Sequence, residues 1–435
     1  MTGRATWAVA LAGAALLLVA APAGVLGYDA MYHLVWGADL VHARLPDYEG
    51  PVLAPTPHPL LVAAGAVAAL FGQAGDEVLR GLSLLAAGAL GAGLCRIGWR
   101  LAGPVAGIAA AAVFLLSPPV VELAHEGGAD LPALALIAWA AVVELERPRR
   151  APGLVLVLLA LAGLLRPEAW LLSLAYLVWL RRPEPRLVAL AVAAPVLWAL
   201  TDLLVTGDPF WSLAHTRDGT ELLDRETGLG AALELLPRHV NFLAGPFVLA
   251  AAVVGAVTLG RRAGGILAPA VLIGAGFLVL ALAGLSLQSR YLVGIAGVAA
   301  LLAGVSLTGR WRWLGALLLA GAVVYAAGDL VDTRERLDDD APALEALVRG
   351  APPCAPVHVP TIRPVPFVAY WADVPPAAIT ASAPGPAGSL ITPTGASESW
   401  IGGGGPGQPP RVEVAPPAGY ALRSGDEMWR VYAKC

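Results

Sequence analysis

The residues of this chain that can do chemistry are few, and they collect in four short polar stretches between long apolar ones. The first begins at Gly27-Tyr28-Asp29 and runs through Tyr32, His33, Arg44, Asp47 and Glu49 to Thr56-Pro57-His58-Pro59. On a helix Asp29, Tyr32 and His33 would share one face, by i, i+3 and i+4 spacing. A carboxylate there could act as a general base, and partial burial should raise its pKa toward a useful value. Tyr32 and Trp36 also suit plain anchoring at headgroup depth. The second stretch holds Glu122, His125, Glu126 and Asp130. Its acids are spaced i, i+4, so they repel one another, a cost beside hydrocarbon. Asp130 opens an apolar helix whose dipole favours an anion at that end.

The third stretch is Thr206-Gly207-Asp208-Pro209-Phe210, continuing through His215 to Arg238. Asp208-Pro209 equally suits a turn that starts a helix. The fourth pairs Arg166 and Glu168 with Gln288-Ser289-Arg290-Tyr291. Arginine is the side chain best shaped to grip a phosphate, although at a membrane surface it can also simply snorkel. Asp29, Glu126 and Asp130 are therefore the candidate acids and bases. Arg290, Arg166, His58, Tyr32, His33 and Asp208 are the candidate substrate contacts. Asp29, His58, His125 and Asp130 are donors that a divalent cation could use, but no spacing demands a metal.

The elements that must position these groups are membrane helices. Hydrophobic residues make up 57% of the chain and charged residues 14%, against about 45–50% and 25% in soluble domains. The basic residues are arginines with one exception, Lys434, and lie between apolar blocks; no patch exists that could track a nucleic acid. The Arg and Ala bias fits a GC-rich bacterial genome. Apolar blocks cover roughly 6–26, 59–72, 78–95, 103–117, 130–146, 152–165, 167–180, 187–205, 242–259, 264–285, 291–308 and 312–330. The block 59–72 is too short to span and reads as a surface segment. With that block outside, Arg96, Arg100, Arg147, Arg149, Arg150, Arg181, Arg182, Arg186, Arg261, Arg262, Arg310 and Arg312 all fall on the cytoplasmic side. The positive-inside bias therefore selects about eleven spans, with the N-terminus inside and the C-terminus outside. Blocks 152–165 and 167–180 read as a hairpin around Arg166-Pro167. The first block has the outline of a secretory signal and is read as an uncleaved anchor, because cleavage would detach the loop that carries Asp29.

From 331 to 435 the pattern changes to that of a small extracytoplasmic α/β domain. A short helix is expected over 340–350, strands over 356–359 and 429–433, and loops over 384–388 and 402–410. Outside the cytoplasm Cys354 and Cys435 can form a disulfide, while Cys95 reads as a small buried hydrophobe.

Tyr28-Asp29, Thr56-Pro57-His58-Pro59-Leu60, Leu164-Leu165-Arg166-Pro167-Glu168, Thr206 to Phe210 and Ser289-Arg290-Tyr291-Leu292, in that order over roughly 5–330, resemble the GT-C superfamily of membrane glycosyltransferases. That group includes the protein O-mannosyltransferases (glycosyltransferase family 39), the aminoarabinose transferase of lipid A and the catalytic subunit of oligosaccharyltransferase. The chain departs from many relatives in having Ala30 after Asp29 where they pair Asp with Glu. The resemblance implies an all-α polytopic membrane enzyme of the bacterial cell envelope. It implies inverting transfer of a sugar from a polyprenyl-phosphate donor to an envelope glycan, lipid or protein acceptor on the non-cytoplasmic side. On that reading Arg290 and then Arg166 hold the donor phosphate, Asp29 is the base, and Glu126 or Asp130 orients it. A lipid flippase or solute transporter would place its polar residues near the midplane of broken helices, and a non-catalytic scaffold would tolerate loss of Asp29 and Arg290.

Overall fold

A computed structural model of the chain describes residues 2–22, 24–50, 54–223, 225–338, 341–350, 352–381, 384–394 and 414–435. The loop expected over 402–410 lies outside these residues. Eighteen helices follow in chain order: α1 (Gly3–Ala20), α2 (Tyr28–Val41), α3 (Pro59–Ala69), α4 (Gly75–Ala102), α5 (Pro104–Leu115), α6 (Pro118–Glu126), α7 (Asp130–Glu146), α8 (Pro152–Gly163), α9 (Ala169–Leu180), α10 (Pro185–Thr206), α11 (Trp211–Leu222), α12 (Gly228–Ala244), α13 (Pro246–Leu259), α14 (Ala263–Leu282), α15 (Val293–Ser306), α16 (Arg312–Asp338), α17 (Ala341–Gly350) and α18 (Val365–Trp371). Proline sets many of the starts. Pro59, Pro104, Pro118, Pro152, Pro185 and Pro246 stand in the first turn, where a missing N–H costs nothing. Gly127 and Gly207, at φ 69° and 81°, close α6 and α10 in the left-handed conformation that glycine adopts freely.

Each of the eleven blocks read as spans contains one helix: α1, α4, α5, α7 to α10 and α13 to α16. Length and apolar character alone qualify six helical runs as spans among the described residues, or seven if α5 and α6, which meet at 66°, count as one. The short ones include α8 and α9, of 12 residues each; such a helix rises about 18 Å, less than the ~30 Å hydrocarbon core. They form the expected hairpin. The Arg149 guanidinium lies 4.5 Å from the Trp179 ring, so the arginines on either side of the hairpin share one end of the bundle. Arg96 joins that end by bonding Glu146 and Thr6. Side chains such as Leu204, Val271 and Val323 are well exposed on α10, α14 and α16, as a lipid-facing surface requires.

The block 59–72 is α3, 11 residues long, laid tightly against α2. A Cβ on Gly37 would sit 2.2 Å from the Ala66 nitrogen, and one on Gly65 2.2 Å from the His33 carbonyl oxygen. The two backbones touch because neither position has a side chain.

The C-terminal domain has a five-stranded sheet of β1 (Val357–Val359), β2 (Ile379–Ala381), β3 (Gly388–Pro393), β4 (Ala421–Gly425) and β5 (Trp429–Lys434), in the order β2-β1-β3-β5-β4. β1 is parallel to both β2 and β3, whereas β5 is antiparallel to β3 and β4. The expected helix and both expected strands are present, and Cys354 and Cys435 form a disulfide. Its core does not stop at its own boundary. Phe367, Val368, Trp371, Trp429 and Ile391 belong to the same buried cluster as Tyr32 and Trp36 of α2 and Leu61 of α3. Polar contacts lock the join: Trp371 Nε1 donates to Asp76 at 3.0 Å, Arg349 donates to the Gln73 carbonyl at 3.0 Å, and the Tyr370 hydroxyl donates to the Gly72 carbonyl at 2.5 Å.

Candidate functional site

The end of the bundle beneath the C-terminal domain contains a cavity of about 430 Å³, within the ~300–1,000 Å³ typical of ligand sites. Three of the four polar stretches meet in its walls. Asp29 and Tyr28 come from the start of α2, His58 from the start of α3, Arg166 and Glu168 from the α8–α9 turn, and Arg290 and Tyr291 from the turn before α15. Trp170, Trp198, Leu213 and Leu280 make one side apolar. That side lies among α9, α10, α11 and α14.

The central contact is an ion pair. Arg290 Nη1 donates to Asp29 Oδ2 at 2.7 Å. Burial alone would push the Asp29 carboxyl up, but the Arg290 guanidinium outweighs it and holds the group well below the usual carboxylate range. This reverses the expectation from sequence, which counted the desolvation and not the cation. Arg166 makes a second ion pair, with Asp130 at the first position of α7. The Tyr291 ring stands between the two arginines, with Arg166 Cζ at 4.9 Å and Arg290 Cζ at 5.9 Å from its centre.

His33 sits behind Asp29 and does not line the cavity. Its Nδ1 faces the Asp29 carbonyl and its Nε2 accepts the His58 backbone N–H at 2.9 Å. These partners require a neutral ring with the proton on Nδ1. Burial, which outweighs the pull of Asp29, lowers the His33 pKa to about 4. His58 stacks on His33 with ring centres 5.2 Å apart. It keeps its Nδ1 without a hydrogen-bond partner among the described residues, and Glu168 Oε2 is likewise unpartnered.

The remaining candidates sit outside the cavity wall. Asp130 reaches the cavity only through Arg166. Glu126 ends α6 directly under α2: its carbonyl accepts the Gly27 N–H at 2.8 Å, and its Cβ would lie 3.1 Å from a Cβ on Gly27. Tyr32 is 1% exposed and packs between Tyr28 and Trp36 in the shared core. Asp208 is exposed and accepts the Phe210 N–H at 2.9 Å, the work of a turn residue. The carboxylate that does line this part of the wall is Asp202, bonded to the backbone and hydroxyl of Ser212. Arg225 and Arg363 also line the cavity without having been singled out from sequence. A solitary Asp in the apolar run of α10 was a usable signal for Asp202. Nothing in the sequence places the C-terminal Arg363 here.

Among the described residues no group of three or more His, Cys, Asp or Glu gathers as a metal cage. Of the four donors weighed for a cation, Asp29 and His58 share the cavity wall, whereas Asp130 and His125 do not line it. Asp29 and Asp130 each hold an arginine, and His125 Nε2 faces the Leu17 carbonyl. A second cavity, of about 380 Å³, opens between α5, α13 and α16. It is lined by Glu122, Asp329 and Asp332 and, among the described residues, by no arginine.

No protein-family model matches the sequence, and no curated protein is similar to it in sequence. In three dimensions the chain is similar to ArnT from Cupriavidus metallidurans bound to undecaprenyl phosphate, with a TM-score of 0.60 and 13% identity, over 99% of this chain and 97% of that one. It is also similar to the oligosaccharyltransferase of Archaeoglobus fulgidus in complex with zinc and sulfate, with a TM-score of 0.54 and 12% identity, over 86% of this chain and 62% of that one. The archaeal oligosaccharyltransferase AglB from Archaeoglobus fulgidus, in complex with an inhibitory peptide and a dolichol-phosphate, gives a TM-score of 0.51 at 12% identity, over 84% of this chain and 63% of that one. At such identities the likeness is one of fold. The chain has the polytopic GT-C fold with a small α/β domain at its C-terminal end.

Proposed function

We propose that this chain is a glycosyltransferase that moves a sugar from a polyprenyl-phosphate carrier to an acceptor on the non-cytoplasmic side of the membrane, with inversion at the anomeric carbon. One observation carries the reading: Asp29 and Arg290 are paired at 2.7 Å in the wall of a cavity that is apolar on one side. The apolar side suits a lipid tail, and the arginines suit a phosphate. The sharing of a fold with proteins solved with undecaprenyl phosphate and dolichol-phosphate supports it. The acceptor can be an envelope glycan, a lipid or a protein, since no feature of the cavity selects among them. The arginine-rich end of the bundle supports placing the site outside the cytoplasm, as does the Cys354–Cys435 disulfide.

The chemistry follows from the ion pair. Bound phosphate competes with Asp29 for Arg290. Once Arg290 turns to the phosphate, burial acts on Asp29 unopposed and its pKa climbs toward that of a working base. The acceptor hydroxyl gives its proton to Asp29 while its oxygen bonds to the anomeric carbon. The bond from that carbon to the phosphate oxygen breaks on the opposite face, which inverts the centre. The charge left on the polyprenyl phosphate is held by Arg290 and Arg166. A divalent cation, if one takes part, would have to share Asp29 with this arginine.

The test is Asp29→Asn in reconstituted membranes with a polyprenyl-phosphate sugar. General-base assistance is worth about 10²–10⁴-fold, so turnover should fall by at least about a hundredfold. Binding of undecaprenyl phosphate should be kept or tighten, because Arg290 no longer has to leave a carboxylate to reach the phosphate. Transfer at the normal rate would remove Asp29 from this role and make Asp130 the next residue to replace.

A further inference from the structure

Two side chains on neighbouring elements of the cavity wall are left with unmet hydrogen bonds. The other carboxylates of that wall are engaged, Asp29 by Arg290 and Asp202 by the backbone and hydroxyl of Ser212. Glu168 is the exception among the described residues: its Oε2 is buried and has no partner. His58 is the matching case among the imidazoles. It is 8% exposed and its Nδ1 has no partner among the described residues, whereas His215, also in the wall, faces the Ala54 carbonyl at 2.7 Å. A buried polar group left unmet costs free energy. Both groups line one cavity, so a single ligand that enters it can meet them.

Both are also held in place. The Leu60 N–H donates to the Leu164 carbonyl at 3.2 Å, which ties the start of α3 to the α8–α9 turn that carries Glu168. The His58 ring is gripped from two sides, stacked on His33 at 5.2 Å and edge-on to Trp198 at 5.6 Å. Trp170, two residues after Glu168, packs on the same Trp198 at 5.8 Å. The arginines assigned to the donor phosphate are close by: the charges of Arg166 and Arg290 act on His58, and Arg166 and Glu168 act on each other. Groups fixed in this way lose little freedom when a ligand binds.

Their chemistry narrows the ligand. The Glu168 carboxylate only accepts. The His58 ring is neutral, because burial first, then His33 and Arg166, push its pKa well below the ordinary value. A neutral imidazole has one donor and one acceptor. Hydroxyls donate and accept, so a pair of them serves both residues. An ammonium group would leave the imidazole N–H unmet and would stand beside Arg166 and Arg290.

We propose that Glu168 and His58 form the subsite that reads the donor sugar, binding two of its hydroxyls and thereby selecting which sugar is transferred. The inference rests on the transferase reading and adds to it a recognition step that Asp29 and Arg290 do not supply.

The experiment measures binding to the full chain in lipid nanodiscs, as a ratio. Bare undecaprenyl phosphate is compared with undecaprenyl phosphate bearing glucose, galactose, mannose or arabinose, uncharged sugars that differ in hydroxyl pattern. At least one should bind about tenfold or more tightly than the bare lipid, as a hydrogen bond to a buried charged group allows. Glu168→Ala and His58→Phe should each erase most of that margin, and Glu168→Gln, which keeps an acceptor without the charge, should retain part of it. The bare lipid should bind the Glu168 variants as well as the parent or better, since Arg166 loses a nearby carboxylate. Deoxy forms of the best sugar locate the contact: loss of one hydroxyl should weaken binding to the parent and not to Glu168→Ala. The proposal is overturned if no sugar binds more tightly than the bare lipid, or if the margin survives either Glu168→Ala or His58→Phe. It is equally overturned if every deoxy sugar weakens Glu168→Ala as much as the parent, which would mark Glu168 as merely structural. Failure of bare undecaprenyl phosphate to bind the parent would instead sink the transferase reading, and the subsite with it.

Discussion

Arg290 and Asp29 meet at 2.7 Å although 261 residues separate them, and each thereby sets the other's chemistry. The carboxylate is ionised but poorly basic while the arginine faces it. The arginine is neutralised until something more anionic arrives.

That relationship makes a pH prediction. kcat/KM reports groups of the free enzyme, and Arg290 holds free Asp29 well below the usual carboxylate range. A depressed pKa keeps the base ionised to lower pH, so the acid limb of the wild-type profile due to Asp29 should lie below about pH 4, the ordinary Asp value. In Arg290→Ala burial acts alone, and the limb should move to higher pH as donor binding weakens. An acid limb that stays in place would mean that Asp29 is not the titrating group.

The Arg166–Asp130 pair should behave as a buried pair. The two side chains are 14% and 7% exposed, and removing one partner from such a pair costs about 3–5 kcal/mol. Arg166→Ala should therefore lower the melting temperature more than the double change Arg166→Gln with Asp130→Asn. A thermal unfolding series in detergent compares them, and equal losses would argue that the pair is solvated.

Gly65→Ala tests the contact between α2 and α3. The new methyl would stand 2.2 Å from the His33 carbonyl oxygen, so one helix must move, at a cost of about 1–3 kcal/mol. Because His33 links Asp29 to His58, activity should fall along with stability. The comparison is with Gly81→Ala on α4, where a Cβ meets nothing within 4 Å and neither quantity should change.

The disulfide should stabilise the C-terminal domain by about 2–4 kcal/mol, since it closes a long loop over a sequence separation of 81. Cys354→Ser with Cys435→Ser should lower the domain's unfolding midpoint by a corresponding amount. Alkylation of native protein before and after reduction reports the bond directly, and labelling of a cysteine placed at Ser424 in intact cells reports the side of the membrane. An impermeant reagent that never reaches that position would reverse the proposed orientation.

The blocks that became helices were legible because membrane spans announce themselves by length and apolarity, and α3 because it was too short. Asp29, Arg166, His58 and Arg290 were legible as polar residues at helix ends. Their pairing was not, since periodicity orders side chains along one element and says nothing about which helix end faces another. That gap produced the opposite sign for the Asp29 pKa. Asp208 drew notice through its Asp-Pro turn, and it is the turn that the residue serves. Asp202 was overlooked inside an apolar run, where one carboxylate is the exception that asks for a partner. Arg363 was beyond reach because the docking of the C-terminal domain depends on Phe367, Trp371 and their neighbours fitting α2 and α3, a complementarity of shape.

The core shared by α2, α3 and the C-terminal domain has a consequence in time. Synthesis runs from Asp29 to Arg363, so every membrane helix is made before the segment that buries the near face of α2. Until then Tyr32 and Trp36 have no roof, and the pocket beside them lacks one wall. The site cannot be complete while the chain is still being threaded into the bilayer. An emerging chain thus lacks a finished cavity until its last part is in place.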